Sequence, residues 1–209
     1  FIERVFFLLL AQLGHRVTLT LVKPGFYPVG GGMLTATIEP TQSIAPLELL
    51  HRGEVVAIRA EVLVSKLPMH IAQREQTTLC ERLGIRPAAC PIHQLTTSAG
   101  PGNAVLVQID SESGGELFSA IGERGVPAEQ VAASCADEVH EFLTAAVPVG
   151  EHLADQLLLP LALGKGGRFL TTRPSLHTLT QVDTLRAFVP VEISIEQQAG
   201  LAHLVTVRT

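Results

Sequence analysis

The two ends of the chain repeat one order of elements, and this repetition constrains the fold more than any other sequence feature. Residues 1–13 place apolar side chains at helical spacing, and residues 15–22 and 33–40 alternate as strands do. Residues 174–189 again predict a helix, which two alternating segments follow within 190–207. Each end therefore predicts a helix followed by two paired strands.

The C-terminal copy extends further upstream than the N-terminal copy does. A helix at 150–163 and a strand at 167–172 give it the order helix–strand–helix–strand–strand. The N-terminal copy matches only the second half of that order, and the chain begins with Phe1 rather than Met. We therefore expect an α/β (α+β) fold of repeated βαβαββ-type units, with the start of the first unit missing from this chain.

Residues 44–145 follow another pattern and predict a compact α+β module of two helices and about four strands. We expect the module to be inserted between the repeats. The predicted division is the second half of a repeat at 1–43, the inserted domain at 44–145, and the last repeat of the main domain at 146–209.

Composition narrows the function classes. A hydrophobic content of 46% supports a packed core, and a net charge of −5 argues against a long basic groove, so an RNA contact is expected at a local patch or a single end. No apolar run reaches the length of a membrane span. Three scattered cysteines, Cys80, Cys90 and Cys135, favour free thiols in the reducing cytoplasm.

The common phosphate-binding loops are absent. Gly30, Gly31 and Gly32 match neither a Walker A loop nor GxGxxG, and they leave open whether a phosphate or a neighbouring strand approaches the backbone there. "GKGGR" at 164–168 predicts either a helix-to-strand turn or a turn that faces phosphate or RNA, with Lys165, Arg168 and Arg173 as contacts.

Cys90 and His93 resemble half of a zinc site, but no second pair stands at zinc spacing, so no metal ligands are expected in this chain.

The helix predicted at 150–163 gathers its polar side chains on one side. Spacings of one, three and four residues bring Glu151, His152, Asp155 and Gln156 together, opposite Leu153, Leu157, Leu158 and Leu161. One interpretation is the solvated face of an amphipathic helix. The other is a polar shelf that holds the ring or the sugar of a ligand.

His177 lies in the first turn of the last predicted helix, with Ser175 as its N-cap. The unpaired N–H groups and the dipole at a helix start disfavour a protonated imidazole and favour an anion such as phosphate. A neutral imidazole is a competent nucleophile because a ring nitrogen keeps its lone pair. His177 is therefore a candidate for N–P bond chemistry, and the plainer interpretation is a surface histidine.

Three stretches resemble the RNA 3′-terminal phosphate cyclase family: "GFYPVGGG" at 25–32, "GEHLADQLLLPLAL" at 150–163 and "PSLHTLTQV" at 174–182. Their order and spacing also fit, and the resemblance covers essentially the whole chain. It implies a ligase-class enzyme that uses ATP to convert an RNA 3′-terminal phosphate to a 2′,3′-cyclic phosphate. It also implies that the chain is the C-terminal two-thirds of such a protein and is inactive without the N-terminal part.

The resemblance also implies roles for particular residues. His177 is the residue that becomes adenylated before AMP passes to the RNA end. An aromatic side chain near Phe118 and Ser119 packs on the adenine, and only Phe118 is aromatic here. The adenylate-binding run corresponds to His152, Leu153, Ala154, Asp155 and Gln156.

ATP and Mg²⁺ are the cofactors that the resemblance implies, and RNA 3′-phosphate ends are the partner. The alternative is a non-catalytic, cyclase-like RNA-binding protein of ribosome assembly. Those relatives lack the nucleophilic histidine, so His177 argues against this class. Enolpyruvyl transferases share a related repeat architecture, but they do not explain the histidine motif.

Overall fold

The computed structural model describes residues 1–41 and 44–209, which form five α-helices and ten strands. A π-helical turn at Ile2–Phe6 precedes the first α-helix, and a short 3-10 helix lies at Pro87–Ala89. In chain order the elements are α1 (Phe7–Gln12), β1 (Arg16–Lys23), β2 (Met33–Glu39), β3 (Leu47–Leu49), β4 (Val55–Ser65), α2 (Met69–Leu83), β5 (Ile92–Gln94), β6 (Gly102–Ser111), β7 (Gly114–Ile121), α3 (Ala128–Ala145), α4 (Glu151–Leu163), β8 (Gly167–Thr171), α5 (Leu176–Phe188), β9 (Glu192–Gln197) and β10 (His203–Arg208).

The last repeat forms a four-stranded sheet in the order β3–β8–β10–β9. β3 runs parallel to β8, and β10 is antiparallel to both of its neighbours. Along the chain these strands and the two helices read β3–α4–β8–α5–β9–β10. This is the expected βαβαββ unit, interrupted between β3 and α4, and it confirms the predicted α/β fold.

The short strand β3 corrects the predicted start of the inserted segment. Glu48 lies opposite Arg168 of β8, so Leu47–Leu49 belong to the sheet of the last repeat. Three residues are too few to display the alternation that reveals a strand in a sequence. The inserted module therefore begins after Leu49 rather than at residue 44, and its own sheet starts at Val55.

The N-terminal segment contributes a helix and a separate two-stranded sheet. A single helix is expected at 1–13, whereas the structure has the π-helical turn followed by α1. β1 and β2 pair antiparallel, with Arg16 opposite Glu39. The order α1–β1–β2 corresponds to α5–β9–β10, the second half of the repeat unit.

The inserted module is a sheet in the order β5–β4–β6–β7 with α2 and α3 packed against each other on it. Arg74 forms a bidentate pair with Glu129 between the two helices, at 2.6 and 2.5 Å. The module and the last repeat interlock, because Leu117 of β7 lies in the core of the repeat while Leu170 of β8 packs against the core of the module. None of the helices in the described ranges is both long and apolar enough to cross a membrane.

The turn between β1 and β2 packs tightly on itself and on the module. Gly30 adopts φ +65°, which favours glycine, and a Cβ on Gly25 would lie 2.5 Å from the amide nitrogen of Gly32. A Cβ on Gly102 of the module would overlap the ring of Phe26. Backbone conformation therefore explains Gly30, and close packing explains Gly25 and Gly102.

Glu75 is a buried carboxylate between α2 and β6. Its side chain is fully buried, one oxygen accepts a hydrogen bond from the Asn103 amide, and Oε2 has no hydrogen-bond partner in the described part of the chain. Burial raises the pKa of Glu75 from 4.5 to about 7, and the Asn103 hydrogen bond acts in the opposite direction.

We expect Glu75→Gln to flatten the pH dependence of stability. Because the folded state raises the pKa of Glu75, this carboxyl group stabilises the fold fully below pH 4.5 and loses that contribution as pH rises through about 7. Wild type should lose up to about 3 kcal/mol of unfolding free energy relative to the variant between pH 4.5 and 8. Urea unfolding at several pH values measures this, and parallel curves for the two proteins would contradict it.

Candidate active site

The carboxyl end of β8 brings the starts of α4 and α5 together. Val149, just before α4, forms a parallel bridge with Thr171, whose hydroxyl donates to the Gly150 carbonyl at 3.4 Å. Ser175, the N-cap of α5, follows Thr172 by three residues, so their Cα atoms are at most about 11 Å apart. Both helix starts therefore lie at one edge of the sheet.

The start of α5 presents His177 to solvent. The Ser175 hydroxyl accepts a hydrogen bond from the Thr178 N–H at 3.1 Å, which confirms the predicted N-cap. The first N–H groups of a helix have no acceptor within the helix, so those of Leu176 and His177 face outward. The His177 side chain is exposed beside them. The His177 imidazole and these unpaired N–H groups thus share one surface.

The start of α4 shows the amphipathic division that its sequence predicts. His152 is exposed, and Asp155 and Gln156 are half-buried on the same side, where the Gln156 amide donates to Asp155 at 3.0 Å. Leu153 and Ala154 are buried in the core of the repeat. Of the five residues in the predicted adenylate-binding run, three therefore offer side chains to a ligand.

A cavity of about 150 Å³ opens beside His152. Its floor is buried, and its rim carries the exposed His152 and three exposed carboxylates. Sites for drug-sized ligands measure about 300–1,000 Å³, so this cavity is too small to enclose a whole molecule of nucleotide size. The floor consists of Glu116, Leu117, Phe118, Phe142, Gly150 and Thr172, and the rim of Glu138, Glu141, Glu151 and His152.

Phe118 supplies an aromatic surface to this cavity. Its ring packs at 5.4 Å, centroid to centroid, against Phe142 of α3, and the residue is 7% exposed. Ser119, the next residue, does not line the cavity. The aromatic residue expected near positions 118 and 119 therefore lies on the same cavity as His152.

Glu116 is a buried carboxyl group on the floor of the cavity. Its oxygens accept hydrogen bonds from the Gly150 N–H at 2.7 Å and from the Leu117 N–H at 3.1 Å. Burial raises the pKa of Glu116 to about 7, although both backbone hydrogen bonds lower it. At the rim, desolvation raises the pKa of Glu138, while the neighbouring His152 lowers it.

The three cations predicted to contact phosphate or RNA do not lie together. Arg168 sits at the start of β8, where its guanidinium donates to Glu48 at 2.9 Å. The cavity residue Thr172 is four residues further along, about 13 Å away at the rise of a strand. Lys165 precedes Arg168 at that far end, whereas the exposed Arg173 directly follows Thr172.

No metal centre is found among residues 1–41 and 44–209. These ranges contain no group of three or more His, Cys, Asp or Glu side chains placed to hold an ion.

Most of the cavity floor leaves no recognisable signal in the sequence. Glu116, Leu117 and Phe118 are buried in succession, which breaks the alternation that a strand would show. A glutamate in an alternating strand indicates a solvent-facing side chain, so nothing local marked Glu116 as buried.

The fold and the site define an α/β repeat protein with an inserted α+β module, a polar-rimmed cavity at the start of α4 and an exposed histidine, outside the cavity lining, at the start of α5. The family model of the RNA 3′-terminal phosphate cyclases matches residues 1–195. The chain belongs to this family, which confirms the resemblance noted in its sequence.

One curated relative is the protein of Koribacter versatilis (strain Ellin345) named RNA 3′-terminal phosphate cyclase. It is 40% identical over 204 residues, which cover 98% of this chain and 58% of the relative. The chain thus spans less than two-thirds of the length of that relative.

Proposed function

We propose that the natural protein is an ATP-dependent RNA 3′-terminal phosphate cyclase that works through an adenylated His177. The observation that carries the proposal is the convergence of two helix starts at one sheet edge. His177 is exposed at the start of α5, and the start of α4, which carries His152, Asp155 and Gln156, lies at the same sheet edge. Family membership supports the reaction, and this geometry supports the assignment of the residues.

The first step uses His177 as the nucleophile. A ring nitrogen of the neutral imidazole attacks the α-phosphorus of ATP, the bond from that phosphorus to the bridging oxygen breaks, and pyrophosphate leaves. The imidazole N–H proton passes to solvent. Outward N–H groups at the start of α5 suit the negative charge on the transferred phosphoryl group.

Two further displacements complete the reaction. An oxygen of the RNA 3′-phosphate attacks the phosphorus of the adenylate, the N–P bond breaks, and His177 regains a proton. The 2′-hydroxyl then attacks the activated 3′-phosphate, AMP leaves with its bridging oxygen, and the hydroxyl proton passes to solvent. AMP is a better leaving group than the oxygen of a phosphate monoester, which is why activation is needed.

The nucleotide is proposed to lie along the polar side of α4. Asp155 and Gln156 offer polar contacts to the adenylate, and Phe118 offers an apolar surface to a base. Mg²⁺ is proposed to accompany ATP and to neutralise its triphosphate. The cytoplasm is the proposed compartment, and the free thiols of Cys80, Cys90 and Cys135 support a reducing setting.

Mass spectrometry after incubation with ATP and Mg²⁺ tests this function in the natural full-length protein. We expect AMP on the peptide that carries His177, and a 2′,3′-cyclic end on an RNA that starts with a 3′-phosphate. An RNA with a 3′-hydroxyl serves as the control. RNA binding without any adduct would instead favour the non-catalytic RNA-binding class, against which His177 argues.

A further inference from the structure

Glu116 connects the inserted module to the start of α4. It belongs to β7, yet its Oε2 accepts the hydrogen bond of the Gly150 N–H, at 2.7 Å, in the last repeat. Gly150 is the N-cap of α4, and no side chain of its own caps the helix. A residue of the module therefore supplies the acceptor at this helix start.

The fit around this contact is tight. Glu116 is 3% exposed, and a Cβ added to Gly150 would lie 2.7 Å from Oε2. The second oxygen accepts from the Leu117 N–H at 3.1 Å, which holds the carboxylate in one orientation. A carboxylate that accepts from a helix start is favoured both by its charge and by the helix dipole.

The same carboxylate lies on the floor of the cavity whose rim includes His152. His152 is the second residue of α4, so any rotation of the first turn about Gly150 would move its imidazole and the exposed N–H groups of that turn. The position of this ligand-facing turn thus depends on a side chain of the inserted module.

We propose that Glu116 is a positioning residue of the nucleotide site, which fixes the first turn of α4 and thereby His152 in the orientation that ATP binding requires. This inference rests on the proposed function. The inserted module then has two roles at the nucleotide site, because Phe118 provides an apolar surface and Glu116 positions the first turn of α4.

Glu75 is the matched control. It is also a buried carboxylate of the module, but it accepts from the Asn103 side chain and lies outside the cavity. Burial raises the pKa of both carboxyl groups to about 7. A general effect of replacing a buried carboxyl group should therefore appear in both glutamine variants. A change in the KM for ATP should appear only in Glu116→Gln.

The test compares Glu116→Gln with Glu75→Gln in the natural full-length protein. The rate of AMP-adduct formation at varied ATP concentration gives KM and kcat, and thermal unfolding reports the fold. We expect Glu116→Gln to raise the KM for ATP about tenfold with a smaller change in kcat, because a charge-assisted contact is lost. Glu75→Gln should leave the KM within about twofold of wild type. An unchanged KM in Glu116→Gln, or equal changes in both variants, would overturn the proposal.

A second variant and a binding measurement distinguish failure of the positioning role from failure of the proposed function. If Glu116→Gln does not fold, Gly150→Ala displaces the same carboxylate and should raise the KM to a similar extent, and an unchanged KM there would also overturn the proposal. Calorimetry with a non-hydrolysable ATP analogue reads binding without chemistry. A wild type that forms no adduct but binds the analogue about tenfold more tightly than Glu116→Gln would refute the cyclase function and support the positioning role. A wild type that binds no analogue would refute both.

Discussion

Replacing His177 with alanine is expected to abolish the AMP adduct and to lower cyclisation by about a thousandfold or more, because no other group then offers the nucleophile. Folding should be retained, since the side chain is exposed and the cap of α5 is made by Ser175. Peptide mass spectrometry and a single-turnover RNA assay on the full-length protein measure the two losses.

His70 offers a matched control for this substitution. It is also an exposed histidine at the second position of a helix, α2, but it belongs to the inserted module and does not line the cavity. His70→Ala should keep both the adduct and the cyclisation rate. An adduct that persists in His177→Ala, or that disappears equally in His70→Ala, would remove His177 as the adenylated residue.

The second large effect is expected at Asp155. Asp155→Ala should raise the KM for ATP about ten- to a hundredfold, because a hydrogen bond to a charged group contributes about 1.5–3 kcal/mol. The residue is half-buried on the polar side of α4, so the loss of folding stability should be much smaller than the loss of nucleotide affinity. Adduct formation at limiting and saturating ATP, together with urea unfolding, separates the two.

Asp183 provides the comparison for Asp155. Its side chain is 81% exposed on α5 and lies 3.4 Å from Arg186, away from the start of that helix. Asp183→Ala should change the KM for ATP by less than about twofold. Equal activity of Asp155→Ala and wild type at both ATP concentrations would rule out a polar nucleotide shelf on α4.

Helices and strands whose buried residues recur at regular spacing could be predicted from the sequence. α4 and α5 follow from the spacing of their apolar residues, and the Ser175 cap follows from residue type at a helix start. His177 could be placed at a helix start for the same reason. β3 could not be found this way, because its three residues are held by pairing with β8, more than a hundred residues later in the chain.

The residues that line the cavity were likewise only partly predictable from the sequence. Phe118 could be proposed from family resemblance, but nothing near Glu116 in the sequence predicts that its carboxylate meets the N–H of Gly150. Arg168 and Arg173 look equivalent in the sequence as cations near a turn. The register of β8 separates them, because Arg168 pairs with Glu48 at one end of the strand and Arg173 follows the other end.

The sequence by itself determined the order of the α-helices and the longer strands, the polar side of α4 and the position of His177 in the first turn of α5. These features depend on periodicity and capping, which act between residues within about four positions of each other. Tertiary structure alone decided that β3 joins the last repeat, that α4 and α5 start at one sheet edge, and that Glu116 reaches Gly150. Those contacts join distant segments through strand pairing and shared burial, and neither leaves a local pattern in the chain.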